Sequence, residues 1–234
     1  MTKTNAMGSS SDIKHIAFIM DGNGRWAEKR GKPREFGHKN GAKNLKTVIE
    51  ACAKRGISCM TFYAFSTENW KRPKKEVDSL MDLLDNYLDQ LINESDNNDI
   101  KYKFIGELSV LKISLQNKIN ILQKATSNKQ YTVNIALNYG ARNELVAAFN
   151  KLIADNKKII DECDINNALY TAEDPDLDLL VRTGGELRLS NFLLWQAAYA
   201  ELYFTDTLWP DMNDDEVQKA VSAFNTRKRR FGGV

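Results

Sequence analysis

His15-Ile16-Ala17-Phe18-Ile19-Met20-Asp21-Gly22-Asn23-Gly24-Arg25-Trp26 is the stretch on which the reading of this chain turns. Residues 16–20 form a short, unbroken apolar run without alternation, the pattern of a strand buried on both faces of a parallel sheet. The run stops at an aspartate, two glycines, a cation and an aromatic ring. Glycines let backbone N–H groups turn toward a ligand without Cβ interference. A carboxylate just past a strand's C-terminal end lies where open α/β sheets bind ligands. Asp-Gly and Asn-Gly are also strong hairpin signals. A hairpin needs a second alternating strand, however, and residues 25–36 offer charges, Gly31 and Pro33 instead. The favoured reading is an anion site, in which backbone donors, Arg25 and a metal-binding Asp21 suit a diphosphate and its magnesium.

Composition narrows the class. At 234 residues the chain is long enough for one large α/β domain or two small ones. Its 42% hydrophobic and 27% charged residues exclude a low-complexity or fibrous chain. A net charge of +2 is too small to imply nucleic acid. Cys52, Cys59 and Cys163 have neither an even count nor C-x-x-C spacing, so no disulfide framework or zinc site is expected. A reducing cytoplasm is the natural setting for such thiols. No apolar run approaches the roughly 20 residues of a membrane span. Residues 1–12 are polar and rich in Ser, and are expected to be a disordered leader ahead of one domain over 13–234.

Outward from the opening strand, Leu45, Val48, Ile49 and Cys52 predict a helix over 42–55, ended by Gly56. Residues 57–65 read as a second buried strand, so the unit is a right-handed parallel crossover. That strand ends in Ser66-Thr67-Glu68-Asn69-Trp70-Lys71-Arg72-Pro73. Parallel strands end at one edge, which lets this loop share a cleft with Asp21. Ser, Thr and Pro are equally ordinary capping residues, a reading that leaves Trp70 and Arg72 without a purpose. A helix over 74–93 carries Val77, Leu80, Met81, Leu84, Leu88 and Leu91 on one stripe. Core packing explains that stripe, and a long hydrocarbon ligand would use the same face.

Further strands are predicted over 101–105, 131–137, 177–181 and 201–204, with helices over 110–124, 141–154 and 211–224 and a helical piece near 165–170. The fifth strand delivers Arg182 and Arg188 around Gly184-Gly185, which reads as a second anion cradle or as a solvated turn. Glu201 stands alone in apolar company, so an arginine or a metal is expected beside it. Neither phosphate-loop nor dinucleotide glycine patterns occur, and no serine–histidine–aspartate or cysteine–histidine set is visible. The residues by themselves reach an α/β protein acting on diphosphates.

Residues 21–26, Gly37-His38, 65–70, Arg72-Pro73, 138–140, Arg182-Thr183 with Glu186 and Arg188, and 190–204 together resemble the cis-prenyltransferases, over about 15–233. The bacterial undecaprenyl diphosphate synthases are the most similar branch. The resemblance implies a homodimer of a single-domain α/β fold, with a central six-stranded parallel sheet flanked by helices. It implies a magnesium-dependent transferase that adds isopentenyl diphosphate units to farnesyl diphosphate, each new double bond cis. The product would be undecaprenyl diphosphate, precursor of the lipid carrier for bacterial cell-wall synthesis.

Carried over residue by residue, Asp21 resembles the magnesium-binding and catalytic aspartate. Gly22, Asn23, Gly24, Arg25 and Trp26, with Arg34 and His38, resemble the cradle of the allylic diphosphate. Ser66, Thr67, Glu68, Trp70 and Arg72 resemble a loop closing over both substrates. Asn69 matches the residue that helps remove the proton; an amide is a poor base, so it orients an acceptor. Arg182, Arg188, Leu189 and Ser190 fall where isopentenyl diphosphate is held, and Glu201 matches a second metal carboxylate. Arg230 resembles the C-terminal arginine that reaches a neighbouring subunit's site. The resemblance further implies a cytoplasmic protein, peripheral at the inner membrane surface, delivering product to the membrane and binding no nucleic acid. Another product length, or a non-catalytic partner subunit of the same fold, are its alternatives.

Overall fold

The structure is a computed structural model that describes residues 12–227, so Arg230 and all of the expected leader over 1–12 but Asp12 lie outside the described residues. Its elements in chain order are β1 (His15–Ile19), α1 (Asn23–Glu28), α2 (Arg34–Ala53), β2 (Cys59–Ser66), α3 (Lys74–Glu94), β3 (Ile100–Ile105) and α4 (Ile113–Ala125). They continue with β4 (Tyr131–Tyr139), α5 (Ala141–Ala154), α6 (Glu162–Ala168), β5 (Leu179–Arg182), β6 (Glu201–Phe204) and α7 (Asp214–Thr226). The six strands form one parallel sheet in the order β3-β4-β2-β1-β5-β6.

Every residue of β1 is buried, because both faces of its sheet are covered. Ile16 and Phe18 join one core with residues of α2, α3, α4 and α7, where Phe18 stacks on Phe62 at 5.2 Å. Ala17 and Ile19 join the opposite core with Tyr139, Leu180 and Phe192. Burying such side chains contributes about 1.5–3 kcal/mol each. The chain leaves β1 toward β2 on one side and returns to β5 on the other. The strand order therefore switches between β1 and β5, and a crevice opens beyond their C-terminal ends.

Four helices differ from the sequence expectation. Residues 23–28, read as part of a charged loop, are helical, and α2 begins at Arg34 rather than at 42. A Cβ on Gly37 would come within 2.0 Å of the Asn23 carbonyl oxygen, and one on Gly41 within 2.0 Å of Asn23 Oδ1. These glycines, each worth about −1 kcal/mol to an isolated helix, are what let α2 pass so close to α1. The last helix starts at Asp214 instead of 211, because Asn213 caps it by accepting from Glu216 N and Trp209–Asp211 is a separate 3-10 turn. Likewise α4 starts at Ile113, after a 3-10 turn at Leu108–Val110.

Candidate active site

Asp21 follows β1 directly, and Arg182 ends β5 in register with Ile19. Arg182 is 4% exposed, so its charge demands partners within the protein. Its Nη2 donates to Asp21 Oδ2 at 3.0 Å, and its Nη1 donates to Ser190 Oγ at 2.7 Å and to the Arg188 carbonyl at 2.5 Å. Its buried Nε has no partner. On the other side Arg25 stands 3.3 Å from Asp21 Oδ1 and donates to the Gly184 carbonyl at 2.6 Å. A Cβ on Gly184, at φ 85, would come within 2.6 Å of Arg25 Nη2. The Gly22 N–H donates to Asp21 Oδ1 at 2.6 Å. One carboxylate is thus held between two guanidinium groups from different ends of the chain.

The loop after β2 is a 3-10 turn, Thr67–Lys71, started by a reciprocal cap between Ser66 and Asn69. Ser66 N donates to Asn69 Oδ1 at 3.0 Å. Arg72 donates to Glu76 Oε1 at 3.0 Å, and His38 Nε2 lies 3.5 Å from the same oxygen. Burial, and next the Arg72 charge, hold the His38 imidazole below its ordinary pKa despite Glu76. For Glu68, partial burial opposes ionisation, but its own backbone N–H and hydrogen bonds from Asn191, Ser66 and Thr67 outweigh it and lower its pKa.

These groups line one cleft of about 640 Å³, which brings together Asp21, Asn23, His38, Ser66, Glu68, Asn69, Arg72, Arg182, Arg188 and Ser190. Arg34 packs over Gly24, where a Cβ would come within 2.8 Å of its Nε. Gly22, Gly24, Arg25, Thr67, Trp70 and Leu189 belong to the same loops but do not line the cleft. Trp26 is engaged elsewhere: its indole N–H donates to Asp211 at 2.6 Å, its ring stacks on Phe36, and Arg30 covers it at 3.8 Å.

Glu201 is not brought to Asp21 within this chain. It pairs in register with Leu179, which lies level with Ile16. Asp21 is therefore roughly 15 Å further along the strands, at about 3.3 Å per residue. The arginine expected beside Glu201 is Arg227, whose Nη1 donates to Oε2 at 2.6 Å. Among the described residues no group of three or more His, Cys, Asp or Glu is placed to hold a metal. A single carboxylate suits magnesium nonetheless, since that ion is held by one or two carboxylates plus substrate phosphates.

Below the polar cleft lies an apolar cavity of about 130 Å³ between α2, α3 and the sheet. The two share Met20, Asn23, His38, Tyr63, Ala64 and Leu80 as walls, so they adjoin. The stripe on α3 divides: Val77, Leu88 and Leu91 are buried, whereas Leu80, Met81 and Leu84 are half-buried beside the cavity. Two site residues went unassigned by sequence reasoning, Asn138 and Asn191, both with positive φ (45° and 62°). For Asn138 the available signal was an asparagine at the end of an apolar strand run, where left-handed backbone favours that residue; Asn191, in a loop, offered none.

A family model described as "Putative undecaprenyl diphosphate synthase" matches residues 19–232. An isoprenyl transferase of Fusobacterium nucleatum is 50% identical over 94% of this chain and 96% of its own length. A ditrans,polycis-undecaprenyl-diphosphate synthase of Pasteurella multocida, described as (2E,6E)-farnesyl-diphosphate specific, is 49% identical over 94% and 95%. Lavandulyl diphosphate synthase from Lavandula x intermedia, solved with dimethylallyl diphosphate, superposes with a TM-score of 0.89 at 34% identity, over 94% of this chain and 98% of that one. A probable undecaprenyl diphosphate synthase from Campylobacter jejuni gives 0.80 at 36% identity, over 94% and 99%. With the parallel sheet and the cleft at its switch point, these matches show that the chain belongs to the undecaprenyl diphosphate synthase family of cis-prenyltransferases.

Proposed function

We propose that this chain condenses isopentenyl diphosphate units onto farnesyl diphosphate with cis stereochemistry, making undecaprenyl diphosphate. The observation that carries the reading is a cation-lined cleft lying directly against an apolar cavity. A prenyl diphosphate has the same two parts.

In this reading the farnesyl diphosphate head lies against Asn23 and His38, with the Arg25 and Arg34 charges just behind the cleft wall, and its tail enters between α2 and α3. Arg182, Arg188 and Ser190 hold the isopentenyl diphosphate. The allylic C–O bond breaks, its electron pair leaving with the diphosphate, while the isopentenyl double bond forms the new C–C bond. Asp21 would hold magnesium with the phosphate oxygens, and the ion supplies neutralisation of the leaving charge. Fixed arginines stabilise the same charge without reorganising. The Thr67–Lys71 turn keeps water from the carbocation-like fragment. Because Asn69 Oδ1 is occupied by Ser66 N, its NH2 group is what orients the proton acceptor, a diphosphate oxygen. A cavity of about 130 Å³ is smaller than the product, so the half-buried side chains of α3 must yield as the chain grows.

The reading extends to a homodimer, supported by Val146, Phe149 and Ile153, which stand exposed on α5. Glu201 then serves a metal at Asp21 only from a second copy. No helix among the described residues is long and apolar enough to cross a membrane. A cytoplasmic enzyme handing its product to the inner membrane surface fits that and the free thiols. The test is incubation with farnesyl and labelled isopentenyl diphosphates, with magnesium or a chelator, followed by sizing. Magnesium-dependent undecaprenyl-length product is expected; no incorporation overturns the reading. Leu84→Trp should give shorter products, and wild-type lengths from it would remove the cavity from the product path.

A further inference from the structure

The turn Thr67–Lys71 carries Trp70 and Glu68; none of its residues is buried, and its one aromatic contact with the core is Trp70 edge-on to Phe65 at 5.0 Å. Two asparagines from different elements tie its side chains to the rest of the site. Near the end of β4 the register with β2 slips twice, between Tyr63 and Phe65 and between Phe65 and Ser66. Asn138 sits in that irregular stretch with φ 45 and is 7% exposed. Its Oδ1 accepts from Trp70 Nε1 at 2.7 Å, and its Nδ2 donates to the Glu107 carbonyl at 2.8 Å.

Asn191, at φ 62, grips the other end of the turn. Its Nδ2 donates to Glu68 Oε1 at 3.1 Å, its Oδ1 accepts from Arg142 N at 3.0 Å, and its carbonyl accepts from Ala141 N at 2.8 Å. Between the two lies Gly140, where a Cβ would come within 2.6 Å of Asn191 Nδ2 and 2.8 Å of Thr67 Oγ1. The turn, β4 and the loop through Ser190 therefore meet at bare backbone. Left-handed backbone at asparagine costs energy and persists only where surroundings enforce it. In both residues the side-chain amide is engaged by protein partners.

We propose that Asn138 and Asn191 are positioning residues that clasp the Thr67–Lys71 turn over the cleft, and that Asn191 couples this turn to the loop carrying Arg188 and Ser190. The inference rests on reading that turn as the cover of the reacting substrates. Asn138 acts through Trp70, and its loss lowers kcat while leaving the KM for isopentenyl diphosphate near its starting value. Asn191 acts through Glu68 and adjoins Ser190, so its loss lowers kcat and raises that KM.

Two double-mutant cycles test this, with glycine chosen because it keeps the left-handed backbone free of strain. Asn138→Gly is combined with Trp70→Phe, and Asn191→Gly with Glu68→Ala, and kcat, KM and Tm are measured for each. Each glycine variant alone should lower kcat/KM about tenfold, the value of one lost hydrogen bond. In the matching partner background the same change should cost less than about twofold, because the interaction is already gone. Equal losses in both backgrounds would overturn the clasp. Wild-type turnover by both Trp70→Phe and Glu68→Ala would instead remove the reading of the turn, and the clasp with it. If one glycine variant does not fold, the other cycle decides alone.

Discussion

The two ends of this sheet both hold polar groups, and they are built differently. Toward the N-terminal ends, residues from β1, β2, β4 and β3 are laced together across one face. His15 Nδ1 lies 2.9 Å from the Pro175 carbonyl, which can only accept, so the ring proton is on Nδ1. Thr61 therefore donates to His15 Nε2 at 2.7 Å. Asn134 Nδ2 donates to Thr61 Oγ1 at 3.0 Å and to Asp174 Oδ2 at 2.8 Å, and Lys103 donates to Asp174 Oδ1 at 2.8 Å. Only Asn134 Oδ1 lacks a partner there. At the C-terminal ends, by contrast, Arg182 Nε and Asn23 Oδ1 are buried without partners, and Gly184, Gly185, Ser190 and Asn191 have positive φ. Hydrogen bonding between regular strands that leaves a single orphan locks register. Unsaturated groups on left-handed backbone leave capacity for a ligand.

The largest effect that separates the two ends is expected from Asp21→Ala. Turnover of the folded fraction should fall at least a hundredfold, as when one electrostatic stabiliser is lost, with some fall in Tm because buried Arg182 loses its carboxylate. A variant within about tenfold of wild type would break the assignment of the upper end to chemistry. Asp174→Ala should cost stability alone, leaving Lys103 unpaired in a part-buried setting at about 3 kcal/mol in urea unfolding. The folded fraction should keep its KM values; a shifted KM with unchanged stability would erase the distinction.

Arg188→Ala sharpens the upper end itself. Its side chain is 59% exposed and pairs with Glu186, so little stability is at stake. The KM for isopentenyl diphosphate should rise about tenfold, more than that for farnesyl diphosphate; the opposite ranking would exchange the two cradles.

The smallest effect is a titration. The chain has 2 histidines, one at each end of the sheet, and burial is the leading cause that lowers both from the ordinary 6.5. The folded state binds protons more weakly than the unfolded chain, so this stability is complete above pH 6.5 and is lost as pH falls below it. NMR titration should place both midpoints under 6.5. Bound farnesyl diphosphate should raise His38 alone; a matching rise at His15 would contradict the separation.

The strands were legible because burial on both faces forces continuous apolar runs, and all six were found within a few residues of their ends. The α1–α2 corner was not legible. Its helical residues include Gly37 and Gly41, which local propensity counts against a helix, and only the contact with Asn23 explains them. Much of the cleft was legible, since cations and glycines gathered after strand runs. The placement of Glu201 was not: its motif lies close in sequence to Arg188, but β6 carries it to the far end of the sheet. Asn138 and Asn191 escaped for a related reason, because their importance lies in partners distant along the chain.

The central position of β1 has a consequence for how the molecule is made. One neighbour, β2, follows it closely, but β1 ends at residue 19 and β5 begins at residue 179. At roughly 5–20 residues per second on a ribosome, one edge of this wholly buried strand waits on the order of ten seconds for its partner. During that interval the nascent chain exposes an unpaired edge of the kind that aggregates. Arg182 emerges with the same late segment, so the ion pair with Asp21 forms only near the end of synthesis. A truncated chain lacking β5 would be without its cleft, and would depend on chaperones to stay dispersed.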